Sequence, residues 1–279
     1  MTTPFTRCIV VSLPHHLDHL APLSFYEKIA LVVRSQDTAD ALHEFYPQIP
    51  FYEIEKAHFL PKVKEILCTT NSEVAMRAYH QALYNTTPTI VRLHHGYSDK
   101  IQDFSIYDTV VGYKDFPNHR LRFYKQFKDK MLQVASKYLP IPIHARPLLI
   151  ALSWDRNNVN QQLEMLSQHP AKDRFVFRVH PLLGRSELIH FKIQAQYGVH
   201  LLDHTCPYIY PFLELFSGVL TDCSSIGYDA LYFKKPLMVL DDIPLKQFSS
   251  KDIDTWIAEC DQAVVKPHFQ EKYFSIFGH

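Results

Sequence analysis

The chain has 279 residues, enough for two domains of modest size, and at 47% hydrophobic it can build proper cores, which excludes global disorder. Lysine plus arginine and aspartate plus glutamate number 29 each, so no basic surplus marks a general nucleic-acid binder. The five cysteines are odd in number and form no CxxC pair, which points to reduced thiols and away from a zinc framework.

The first half reads as alternating strand and helix. Residues 8–13 (CIVVSL), 29–33, 51–54, 65–70, 89–93 and 109–113 are short apolar runs bounded by polar or turn residues, hence buried strands. Residues 38–45 have helical spacing. Residues 73–84 form an amphipathic helix whose inner side is expected at Val74, Ala78 and Ala82. Between Lys137 and Pro147, Pro140, Pro142 and Pro147 forbid helix, and an interdomain linker is expected at 138–147. The pattern then restarts with strands at 148–154, 174–181, 199–203, 219–225 and 236–241. Helices are expected at 161–169, 186–197, 211–218 (capped by Gly218) and 225–234, with further helix after Phe248. Short apolar strands joined by helices imply parallel sheets covered on both faces. The expected fold is therefore α/β, with two Rossmann-like domains: residues 1–140, taken as the acceptor side, and residues 148–279, taken as the donor side.

Residues 1–20 lack a signal-peptide pattern, and no segment approaches the roughly 18 apolar residues of a membrane span. A cytoplasmic protein is expected. Aromatic and basic residues recurring between Arg120 and Lys137 leave room for peripheral contact with the inner face of a membrane. The 17 histidines mean that mild acid would make the chain positive.

Ligands of open parallel sheets bind outside the carboxyl ends of the strands, and three polar clusters fall at such ends. The first is Arg92-Leu93-His94-His95-Gly96, running on to Lys100. Gly96 permits a sharp turn, His95 or its rival His94 can act as a general base, and Lys100 can neutralise a phosphate. The second is Arg178-Val179-His180-Pro181. Arg178 and His180 share one face by the strand period and can both donate to phosphate oxygens, unless Arg178 is simply paired to a carboxylate. The third runs from Thr221 to Ala230, with Asp222, Cys223, Ser224, Ser225 and Asp229. Two serines before a helix are an ordinary cap, but a helix start also carries about half a positive charge and suits phosphate. There is no GxGxxG, GxxxxGK[ST] or GxSxG. Asp241-Asp242 lacks the spacing of a metal-binding pair. His15, His16, Asp18 and His19 are expected in a loop after the first strand on the acceptor side, with structural or solvated roles.

Taken in order, HHGYSDK, RVHP and DCSSIGYDALYFKKPLMVLD resemble the CDP-glycerol glycerophosphotransferases, the teichoic-acid polymerase family. The resemblance spans roughly residues 89–241 and carries over His95-Gly96 with Lys100, Arg178, His180 and Pro181, and Asp222, Ser224, Ser225, Asp229 and Lys235-Pro236. Ser153-Trp154 resembles the Thr-aromatic pair ending the first strand of the family's donor domain. Cys223 stands where the family has Tyr, and Tyr97-Ser98 where its commoner form has Thr-Pro. The resemblance implies a GT-B fold and transfer of glycerol phosphate from CDP-glycerol to a polyol-phosphate, glycan or glycolipid hydroxyl. His95 would be the base. Arg178, His180, Asp222, Ser153 and the serine pair would hold the donor, without cofactor or metal. A CMP- or UDP-sugar transferase, a sugar-nucleotide epimerase and an inactive nucleotide-binding module are the alternatives.

Overall fold

The computed structural model describes residues 6–53, 62–69, 74–93, 109–111, 116–152, 159–178, 193–202 and 205–263. The chain divides into two compact units. One takes the described residues up to Lys128 together with Thr205–Pro207, and the other takes the rest from Asp129 onward. The division falls inside a helix, and residues 138–147 belong wholly to the second unit.

The first unit runs β1 (Arg7–Val11), α1 (Leu17–Glu27), β2 (Ala30–Val33), α2 (Gln36–Phe45), β3 (Phe51–Glu53), β4 (Glu65–Cys68), α3 (Val74–Tyr84), β5 (Thr89–Leu93) and β6 (Thr109–Val111). It continues into α4 (Phe116–Lys137). Its six strands are all parallel, in the order β3-β2-β1-β4-β5-β6. The direction of winding therefore reverses between β1 and β4. On one face, Cys8 and Val10 join Val32, Ile66, Cys68 and Ile90 in a buried cluster. Ile9 and Val11 of the same strand are equally buried on the other face. Burial on both sides is why β1 reads as an unbroken apolar run.

The second unit runs β7 (Leu148–Ala151), α5 (Val159–Ser167), β8 (Phe175–Phe177), a described helical stretch at 193–197, β9 (His200–Leu201) and α6 (Tyr210–Leu215). It ends with β10 (Gly218–Thr221), α7 (Ile226–Tyr232), β11 (Leu237–Val239) and α8 (Ile253–Asp261). Its five parallel strands take the order β11-β10-β7-β8-β9, so winding reverses between β7 and β10. Leu148 and Ile150 of β7 pack with Leu163 and Leu166 of α5 and with Trp256 and Cys260 of α8. Among the described residues, no helix is long and apolar enough to cross a membrane.

Three expectations need correction. Asp18 and His19, expected in a loop with His15 and His16, lie in α1, which runs on despite Pro22 in its interior. The expected inner side of α3 is wrong: Ala78 and Ala82 are exposed, and His80 is fully buried. His80 tolerates burial because Nε2 accepts from the Val63 N–H at 3.1 Å and Nδ1 lies 3.1 Å from the Thr86 carbonyl. Gly218 opens β10 and caps no helix. A Cβ there would overlap Cys260 Sγ and press on Trp256 Nε1 at 3.1 Å, so glycine is needed for close packing of α8 on the sheet. All five cysteines are buried, and none is in a disulfide among the described residues.

Candidate functional site

In doubly wound sheets the crevice lies where the winding reverses, at the carboxyl ends of the two central strands. In the second unit those strands are β7 and β10, paired through Ala151 and Thr221. The Thr221 hydroxyl strengthens the join by donating to the Ala151 carbonyl at 2.6 Å. Chain leaving β10 here is Asp222-Cys223-Ser224-Ser225, the third cluster singled out in the sequence.

Asp222 is fully buried, and its Oδ1 accepts from the Cys223 N–H at 2.6 Å. The carboxylate thereby shapes the turn through a bond to its own neighbour. Ser224, half-buried, accepts from the Ile226 N–H at 3.5 Å, while its carbonyl accepts from Gly227. Ser225 has helical backbone angles and makes no side-chain cap. The cap expected from the serine pair thus falls on Ser224. The helix that follows is seven residues long, so its dipole is a weaker contributor than the sequence suggested. Gly227 is explained by packing, because a Cβ would stand 2.5 Å from Leu245 Cδ2 and 3.1 Å from Thr221 Cγ2. Asp229 is buried on the first turn of α7.

Arg178 follows β8, the strand on the other side of β7. Phe177 pairs with Ile150, and the Arg178 N–H continues the ladder to the Ile150 carbonyl at 2.8 Å. Arg178 and Asp222 therefore flank the end of β7 at nearly the same level, about two strand spacings (roughly 10 Å) apart along the sheet. Arg178 is 7% exposed. Its Nη1 donates to the Tyr208 carbonyl at 2.7 Å, and its guanidinium carbon lies 6.0 Å from the centre of the Phe212 ring. The guanidinium thus fixes the segment entering α6, a role that no local sequence pattern at Tyr208 or Phe212 announces. Lys235 and Pro236, part of the family-like element, stand at the amino end of β11. There the Lys235 ammonium donates to the Glu214 carbonyl at 3.1 Å, with burial holding its pKa below the ordinary lysine value. The Pro236 carbonyl accepts from Val219 N and Trp256 Nε1. Both serve the frame.

His95, Gly96, Lys100, Ser153 and His180 lie outside the described residues. So do His94, Trp154 and Pro181. Among the described residues, no group of three or more His, Cys, Asp or Glu is arranged to hold a metal ion.

No family model and no curated protein matches the sequence. Solved structures do match. The fold is GT-B-like. The wall teichoic acid polymerase TagF, as a variant soaked with CDPG, matches at 10% identity with a TM-score of 0.51, over 99% of this chain and 83% of that one. MnaA from S. aureus, in complex with UDP, matches at 16% and 0.51, over 92% and 86%. The UDP-GlcNAc 2-epimerase from Neisseria meningitidis, bound to UDP-GlcNAc, matches at 14% and 0.54, over 96% and 94%. At these identities the likeness is one of fold.

Proposed function

We propose that the chain is a GT-B-like transferase that takes glycerol phosphate, or a related polyol phosphate, from CDP-glycerol and passes it to an acceptor hydroxyl. One observation carries the reading. The turn from Asp222 to Ser225, which the sequence marks as phosphate-binding, follows β10 beside the reversal point of the second sheet, with Arg178 at the end of the strand across β7. Three motifs in family order supply the choice of cytidine donor. The shared fold with TagF is compatible with it.

In this mechanism the acceptor oxygen attacks the phosphorus that bears glycerol, the bond from that phosphorus to the CMP oxygen breaks, and CMP leaves. His95 takes the hydroxyl proton. Arg178, His180 and the hydroxyls of Ser153, Ser224 and Ser225 hold the diphosphate and stabilise charge as the bond breaks. Gly96 and Lys100 shape and neutralise the base loop, and Asp222 and Asp229 hold the turn. Because α7 is short, side-chain donors carry more of this load than the helix start.

A nucleotide-sugar enzyme acting on a UDP-sugar is the second reading. The UDP-GlcNAc 2-epimerase shares the fold over nearly the whole of both chains. Calorimetry with CDP, CDP-glycerol, UDP and UDP-GlcNAc decides. The proposal expects at least about a tenfold preference for the cytidine ligands, equivalent to about 1.4 kcal/mol, and CMP release when an acceptor is supplied. Tighter binding of UDP or UDP-GlcNAc replaces the first reading with the second.

A further inference from the structure

The first unit has a reversal point of its own, between β1 and β4, and what stands there has no part in the donor site. Chain leaving β1 enters a short 3-10 turn, Pro14–His16, and then α1. Three histidines, His15, His16 and His19, fall within these few residues. The His15 and His16 rings are 4.1 Å apart, His16 is 3% exposed, and His15 and His19 are half-buried. The adjacent central strand, β4, ends on Cys68 and is followed by Thr69. The Thr69 side chain is 1% exposed, and among the described residues its hydroxyl oxygen has no hydrogen-bond partner. A buried hydroxyl without a partner costs free energy, and its position beside a histidine cluster at a sheet's ligand edge gives it a use. Arg92, paired with Cys68 on the next strand, β5, and one residue before that strand's end, is buried as well. The one buried carboxylate in the cluster, Asp18, is in an ion pair with the buried Arg120. Imidazole donates an N–H whatever its charge, threonine adds a hydroxyl donor, and arginine adds positive charge. Such a donor set suits an anion. A metal is disfavoured, because no metal-holding group exists among the described residues.

We propose that the carboxyl edge of the first sheet, at the β1–β4 reversal, binds a phosphate group through His15, His19 and Thr69, with His16 and Arg92 shaping the site. The inference deepens the proposed function, and rests on it for its biological sense: a polyol phosphate is the acceptor class which that reaction needs.

The test uses the full chain at neutral pH, with glycerol 3-phosphate, inorganic phosphate and glycerol followed by calorimetry and by the histidine ring signals in NMR. Both phosphates should bind and shift the ring signals of residues 15 to 19, and glycerol should not. His15→Gln and Thr69→Val should each weaken phosphate binding about tenfold, the worth of one charged hydrogen bond. Thr69→Val should melt no lower than the parent, because the lost hydroxyl has no internal partner among the described residues. Tighter binding of the ester than of inorganic phosphate identifies an organic phosphate as the ligand. Equal binding identifies phosphate alone, and the site stands in both cases. Unchanged affinity in the two variants, equal shifts with glycerol, or a lower melting temperature for Thr69→Val would overturn the proposal. CDP affinity, measured on the same samples, separates the two ideas. If CDP fails to bind while phosphate does, the donor reading falls and this one survives. The reverse result removes this site alone.

Discussion

Replacing Arg178 by methionine separates the two roles that the guanidinium can play. The substitution keeps the apolar stem and removes the fork. It also leaves the Tyr208 carbonyl, now bonded at 2.7 Å, without its charged donor. A buried charged hydrogen bond is worth about 1.5–3 kcal/mol, and the nearby Phe212 ring adds about 0.5–1 kcal/mol. Urea unfolding of the second unit should therefore show a loss of about 2–4 kcal/mol. If Arg178 also holds the diphosphate, CDP binding by calorimetry should fall at least about tenfold while cytidine binding changes less than about twofold. Arg178→Lys should restore part of the CDP affinity through its point charge, yet little of the stability, because lysine cannot reproduce the fork. A stability loss below about 0.5 kcal/mol would refute the buried contact. Equal weakening of CDP and cytidine would refute the phosphate role and leave Arg178 a frame residue.

His95→Ala should lower CMP release roughly 10²–10⁴-fold with donor affinity nearly intact, and near-normal turnover would pass the role to His94 or remove it. Gly218→Ala should destabilise the second unit by about 1–3 kcal/mol through overlap with Cys260 Sγ. Adding Cys260→Ala should recover part of that loss, and strictly additive unfolding energies in the double-mutant cycle would contradict the packing argument. Arg120→Met should cost about 3–5 kcal/mol in urea unfolding by stranding the buried Asp18, whereas the double replacement with Asp18→Leu should cost much less. A double variant as unstable as the single one would show that the pair itself holds the first unit. Burial pushes the Cys8 and Cys260 thiols up to about 12 from their ordinary 9.0. The unfolded chain sheds these protons from about pH 9 while the folded chain keeps them. Stability should therefore be full below pH 9 and fall as pH rises toward 12, by up to about 1.4 kcal/mol per unit for each thiol. Urea midpoints at pH 8 and 10 check the sign, and Cys8→Ala should reduce the slope.

The strands were legible because burial on both faces writes them as continuous apolar runs, and every described strand overlaps an expected one. Their order was not legible, since pairing β1 with β4 rather than with a sheet edge leaves no local trace. The start of α1 was missed because Pro14 and three histidines read as loop, and Pro22, in the helix interior, removes one backbone hydrogen bond without ending the helix. The inner side of α3 was misread because apolar periodicity cannot foresee a buried His80 satisfied by two backbone groups. In the candidate site, the strand-end positions of Arg178 and of Asp222 to Ser225 followed from chemistry and spacing. The bond from Arg178 to Tyr208 did not, because it joins residues 30 apart that no motif links.

The strand order of the second sheet also dictates a sequence of events during folding. β7 is its first strand and its centre, yet one of its two neighbours, β10, lies 70 residues further along, as the bond from Thr221 to Ala151 measures. Until β10 has been made, one edge of β7 presents a row of unpaired N–H and C=O groups on an entirely apolar strand. On the ribosome the first sheet can join its own centre, β1 to β4, after a shorter wait, with Cys8 meeting Ile66. The nascent second unit is thus the more aggregation-prone partner, and a chain cut before Gly218 would expose that edge permanently.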